Sequence, residues 1–160
     1  MVSRKTPPRK KRSSVEAIRN AEAKGESLSK PELKKLLRAE LSRVVRHRDE
    51  FECFLCGKRA EPGIRAWQGQ CAHLRPIDKL PPLHRYDPDF CVWMCGVCHS
   101  EFDGNQFRGR KAAYQLPVLS KLQRVKPDVY EQLEAMPIAR GADSQLACEL
   151  RDQLAVLRGM

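Results

Sequence analysis

With 160 residues, the chain is long enough for one domain with a core of its own and short appendages. Its 30 Lys+Arg stand against 20 Asp+Glu, a net charge of +10 and a pI near 9.5, which points to a polyanionic partner, most simply nucleic acid. No apolar run approaches the roughly 18 residues of a membrane span, and no lipidation signal or apolar leader follows the basic N-terminus. A membrane partner is therefore excluded, and the expected compartment is the reducing cytosol, where cysteines at close spacing mean metal and not disulfides.

Met1 to Arg12 carries Arg4, Lys5, Arg9, Lys10, Lys11 and Arg12 with no acidic residue, and Pro7-Pro8 interrupts any helix. It reads as a disordered basic tail that adds sequence-independent phosphate affinity. Ser13-x-x-Glu16 is a capping box for a short helix to Lys24, stopped by Gly25. Its apolar face is thin (Val15, Ile18, Ala21), so the helix is expected to be peripheral. Ser29-Lys-Pro-Glu32 opens a second helix, in which Leu33, Leu36, Leu37, Leu41, Val44 and Val45 recur at helical spacing as a core stripe. Lys34, Lys35, Arg38, Arg43, Arg46 and Arg48 fill the other faces, and are read as a solvated surface in preference to a DNA contact.

The informative stretch follows. Cys53-x-x-Cys56, with Gly57 permitting a tight turn behind it, is matched later by Cys95-x-x-Cys98. Each such turn spaces two thiolates to share one tetrahedral ion, and two turns complete the four ligands of a structural zinc. Between them, Pro62-Gly63 predicts a turn, and Ile64 to Trp67 a short strand. Gln70 to Leu74 is predicted as a strand carrying His73, and Arg75 to Asp89 as a proline-rich ordered loop. Phe90 to Met94 is a second strand, and a helix is expected to open at His99. Cys91 is expected as a small packing residue and Cys148 as inert. Beyond Gly104, the cations Arg108, Arg110 and Lys111 cluster. Lys111–Gln123 is read as a helix interrupted by Pro117, and Pro127–Met136 as another helix. Asp143 is the expected cap of a last helix, whose Leu146, Leu150, Leu154 and Leu157 either pack back on the domain or pair with a second subunit.

Strand, loop, strand and helix with zinc at the base make a ββα arrangement, and the segment resembles the HNH endonucleases. It is most similar to the lambdoid phage recombination proteins of the NinG (Rap) family. The shared residues are Arg46-His-Arg48-Asp49, Cys53-x-x-Cys56-Gly57, His73, Arg85-Tyr86-Asp87, Cys95-x-x-Cys98, Gly104-Asn105 and Tyr114, and His99 stands where zinc-stabilised HNH members place their last histidine or asparagine. Ala72-His73-Leu74-Arg75 together with Cys98-His99-Ser-Glu101-Phe-Asp103 is also similar to small prophage nucleases. The resemblance runs from about Leu33 to Ala135. It implies an α+β fold with a zinc-stapled HNH (ββα-metal) core flanked by several helices. The parts are the tail over 1–12, N-terminal helices over 13–48, the core over 49–110, and C-terminal helices over 111–160 that pack on it.

The implied chemistry is hydrolysis of DNA phosphodiesters, in branched or displaced DNA of a phage-infected or prophage-bearing cell. His73 is the expected general base, because an unperturbed imidazole titrates near neutral pH. His99 and Asp103, four apart on a helix, are the expected ligands of a catalytic Mg²⁺ or Mn²⁺, with Glu101 a weaker alternative. Arg75, Arg108, Arg110 and Lys111 join the tail as DNA-contacting cations. Two positions depart from the common HNH pattern. Ala72 stands where a metal ligand often precedes the histidine, and Phe90 where an asparagine is expected, with Asp89 its nearest polar neighbour. These departures keep open a second reading, a non-catalytic zinc-knuckle DNA-binding protein. An RNA-binding zinc protein is weaker, because aromatic residues make up only 6% of the chain and no stacking platform is visible.

Overall fold

The computed structural model describes residues 14–59, 69–104, 111–139 and 145–160, with the side chains at 103–104 and 111–116 left aside. The tail, the predicted strand to Trp67, Arg108, Arg110 and the proposed Asp143 cap lie outside those residues. The fold is α+β, as expected: six helices and one two-stranded sheet among the described residues. None of these helices is long and apolar enough to cross a membrane.

Helix α1 (Val15–Ala23) is capped by Ser14, whose Oγ accepts from the Ala17 N–H at 3.1 Å. It is less peripheral than its thin face suggests. Ile18 is only 1% exposed, and Arg19 reaches across to Glu40 at 2.7 Å. Helix α2 (Lys30–Arg48) starts as the capping box foretells, with the Ser29 N–H donating to Glu32 at 2.9 Å. Leu33, Leu36, Leu37, Leu41 and Val45 are buried, each contributing roughly 1.5–3 kcal/mol by leaving water.

Their partner is the last helix, α6 (Ala147–Gly159), whose Leu150, Leu154 and Leu157 are buried in the same core. That face of the leucine stripe is thus covered within the chain. Leu146 is exposed and precedes the helix, its N–H donating to Glu149 at 2.9 Å. Arg158 holds Glu22 of α1 through two hydrogen bonds, at 2.7 and 3.0 Å, so α1, α2 and α6 form one layer.

Strands β1 (Gln70–His73) and β2 (Cys91–Met94) pair antiparallel, with Gln70 opposite Met94, Cys71 opposite Trp93, Ala72 opposite Val92 and His73 opposite Cys91. Side chains alternate across this ribbon. Cys71, Cys91 and Trp93 pack with the α1–α2–α6 layer. Ala72, Val92 and Met94 face a second core, shared with three of the knuckle cysteines, Phe102, Val118, Leu122 and Leu133. The loop between the strands is ordered by short 3₁₀ turns at Ile77–Lys79, Pro82–His84 and Pro88–Phe90.

Helix α3 (Gly96–Gly104) follows β2, then α4 (Lys111–Val125) and α5 (Pro127–Ala135). The expected interruption at Pro117 does not occur; α4 runs through it. A mid-helix proline removes one hydrogen bond, but Val118 and Leu122, both fully buried in the second core, hold the helix just beyond that loss.

Gly69, at the entry to β1, has no room for a side chain. A Cβ there would sit 2.5 Å from the Trp93 indole and 2.6 Å from the Met94 carbonyl oxygen. Because one of those neighbours is backbone, Gly69→Ala is expected to lower stability by about 1–3 kcal/mol, the usual cost of overpacking. A denaturant midpoint equal to wild type would refute the contact.

Candidate metal centre and flanking histidines

The first knuckle is a small hairpin in which Glu52 bridges Arg59. The Cys53 N–H donates to the Lys58 carbonyl and the Gly57 N–H to the Cys53 carbonyl, both at 2.9 Å. Gly57 has φ +70°, the left-handed conformation that a residue without Cβ adopts at no cost. Just upstream, Glu50 and Phe51 also have positive φ, at 49° and 62°, which turns the chain from α2 into the knuckle. The Phe54 N–H then donates to the Trp93 carbonyl at 2.7 Å, tying the knuckle to β2.

The second knuckle differs from its sequence reading. Helix α3 opens at Gly96 and not at His99, because the His99 N–H already donates to the Cys95 carbonyl at 2.9 Å. Cys98 therefore lies in the first helical turn, where the positive end of the helix dipole favours a thiolate.

The ligand atoms of Cys53, Cys56, Cys95 and Cys98 all lie within 4.8 Å of one another, the group among the described residues fit to hold an ion. Cys53, Cys95 and Cys98 are buried and Cys56 is exposed, and all are free thiols. The Cys56 and Cys95 sulfurs are 3.9 Å apart. A tetrahedral zinc with Zn–S bonds of about 2.3 Å requires S···S separations of about 3.8 Å, so the donor set fits that ion. Burial pushes the Cys98 thiol far up, helped by neighbouring thiols, and burial likewise raises Cys56. Cys53 moves the other way: burial opposes ionisation, but the N–H groups of Cys56, Cys95 and Leu55 aimed at its sulfur prevail. Thiolates this close repel one another; a divalent ion bound among them would remove that conflict, and four thiolates would close its shell to water.

His73 ends β1, and its Nε2 lies 3.0 Å from the Arg85 carbonyl oxygen. A carbonyl only accepts, so the Nε2 facing it carries a proton. Strand alternation puts His73 on the ribbon face turned to α2, whereas α3, with His99, follows Cys95 on the side of the second core. The structure thus gathers the four cysteines, and strand alternation turns His73 toward the α2 layer. His99 is half-buried; Asp103 lies on α3, its side chain outside the description, and Glu101 is exposed. Ala72, 2% exposed, and Phe90 are both core residues on the α3 side of the ribbon.

The sequence-derived DNA contacts fare unevenly. Arg75 caps α5, donating to the Met136 carbonyl at 2.9 Å and to that of Leu133. Lys111 opens α4, with its side chain outside the description. One arrangement escaped the residue-by-residue reading. Arg48 grips Asp49 through two hydrogen bonds, at 2.7 and 3.0 Å, and donates to the Pro88 and Cys91 carbonyls. Asp49 in turn accepts from the Trp93 N–H at 2.8 Å. This pair closes the edge of β2 left open by β1 and fastens the strand opposite His73 to the end of α2. Burial alone would lower the Arg48 pKa, but pairing with Asp49 raises it. A basic–acidic pair at a helix end was the available signal, but its target carbonyls are remote in sequence. Cys91 is buried beside Cys71, as expected of a packing residue, and Cys148 is exposed on α6.

Compared with protein-family models, with curated proteins and with solved structures, the chain matches none of them. What fold and site define by themselves is an α+β protein with a four-cysteine cluster of metal-site geometry.

Proposed function

We propose that the chain is a divalent-metal-dependent DNA endonuclease of the HNH type, related to the NinG (Rap) family and acting on branched or displaced DNA during phage recombination in the bacterial cytosol. The observation that supports this most is the ββα order itself. A strand ends at His73, an ordered loop offers the Arg85 carbonyl to its ring, and the return strand leads through the cysteine cluster into α3. Cys53, Cys56, Cys95 and Cys98 would hold a structural zinc. His73, held through Nε2 by the Arg85 carbonyl, would take a proton from the attacking water.

His99 and Asp103 would hold the Mg²⁺ or Mn²⁺, which supplies charge neutralisation at the phosphate when bound. Hard cations keep several waters and accept few protein ligands, so this ion should exchange freely. Asp103→Asn is expected to raise the metal concentration for half-maximal cleavage, and His99→Ala to raise it further, with the zinc retained in both. An unaltered metal dependence in Asp103→Asn would move the second ligand elsewhere, to Glu101 or Asp89.

The second reading, a zinc-knuckle DNA-binding protein without catalysis, is favoured by Ala72 and Phe90, which fill the core where the HNH pattern offers polar groups. The two separate in one assay: purified protein on linear, forked and four-way DNA with Mg²⁺ or Mn²⁺. Cleavage supports the endonuclease. Binding with no cleavage in either metal rejects it in favour of the second reading.

A further inference from the structure

Lys30, Lys34 and Arg38 recur every four residues of α2 and lie along one side of it, at the border of its buried face. Lys30 and Arg38 are exposed, Lys34 is half-buried, and among the described residues neither Lys30 nor Arg38 makes an ion pair. Across the border stands Arg85, 7% exposed, with its Nε–H on the Leu80 carbonyl at 3.2 Å. These cations press on one another. Burial, then Arg85, Arg38 and Lys30, lower the Lys34 pKa, and Arg38 and Arg85 both act on the buried Tyr86 hydroxyl between helix and loop. Arg85 is also the residue whose carbonyl fixes His73, on the ribbon face turned toward α2.

We propose that Lys30, Lys34 and Arg38, backed by Arg85, are the surface along which a DNA backbone lies as it approaches His73. The proposal rests on the nuclease reading for its partner. Charge complementarity commits the occupant. A line of cations held close against their mutual repulsion gains most from a row of phosphates, whose counterions are released on contact. Elsewhere on α2, Arg43 pairs with Glu40 at 2.9 Å, Arg48 with Asp49, and Arg46 stacks near Phe51 and Trp93.

The test is the salt dependence of DNA binding by the full-length, zinc-loaded chain, without added divalent cation. A variant with Lys30→Gln, Lys34→Gln and Arg38→Gln is compared with a charge-matched control, Lys24→Gln, Arg124→Gln and Arg151→Gln. The slope of log affinity against log salt should flatten by up to about 2.7 in the stripe variant, at about 0.9 per phosphate contact, and little in the control. Should the triple variant fail to fold, the Lys30→Gln, Arg38→Gln pair, both exposed, should flatten it by up to about 1.8. A stripe variant with wild-type slope, or a control that loses as much, overturns the surface and leaves the nuclease reading standing. A wild-type chain that binds no DNA overturns both.

Discussion

Cys98→Ser, or exhaustive chelation, is expected to unfold the ribbon half of the domain and not merely to silence it. Cys53, Cys95 and Cys98 are core residues of the second cluster, packed with Ala72, Val92, Met94 and Phe102. The secondary structure there cannot stand alone. The sheet has two strands of four residues, and an isolated two-stranded ribbon is at best marginal in water. The segment from Phe51 to Arg59 has one bridge, two internal turn hydrogen bonds, and backbone ties outward through Phe51 to Arg46, Glu52 to Asp49 and Phe54 to Trp93. A structural zinc contributes on the order of 10–16 kcal/mol to small metal-folded peptides, against about 5–15 kcal/mol for the net stability of a whole domain, so a domain built on one could not absorb its loss. Hydrogen exchange should show protection lost in β1, β2 and the start of α3, and Trp93 fluorescence should shift toward that of exposed indole. Cys56→Ser should act in the same direction. A Cys98→Ser protein with the melting temperature and exchange pattern of wild type would refute the staple.

His73→Ala should cut cleavage by about a hundredfold or more, the usual weight of a positioned general base, with zinc content, melting temperature and DNA affinity near wild type. The separation is expected because His73 is a half-buried strand-end residue, outside the buried sets of both cores. A change that acts by unfolding would lower affinity and zinc content along with rate. A His73→Ala enzyme that cuts as fast as wild type would remove the base from this site.

Local signals in the chain located the parts that depend on local geometry. A Cys-x-x-Cys turn determines where its two sulfurs go, and a capping box with a leucine period determines α2, so both were legible before any fold was known. What escaped the sequence depended on partners far along the chain. Pro117 reads as a break until Val118 and Leu122 are seen packed in the second core. The late helix start expected at His99 missed that the knuckle itself is the first turn of α3. Arg75 reads as a free cation until the end of α5 is brought against it. The face to which His73 turns follows from strand alternation and from which helix layer covers each side. The first is readable from sequence, but the second is not.

X-ray absorption at the zinc edge, on the full-length chain purified without chelator, tests the organising centre most directly. One zinc per chain in a shell of four sulfurs at about 2.3 Å is the predicted result. Absence of zinc, or a shell in which imidazole nitrogen from His73 or His99 replaces a sulfur, would contradict the account.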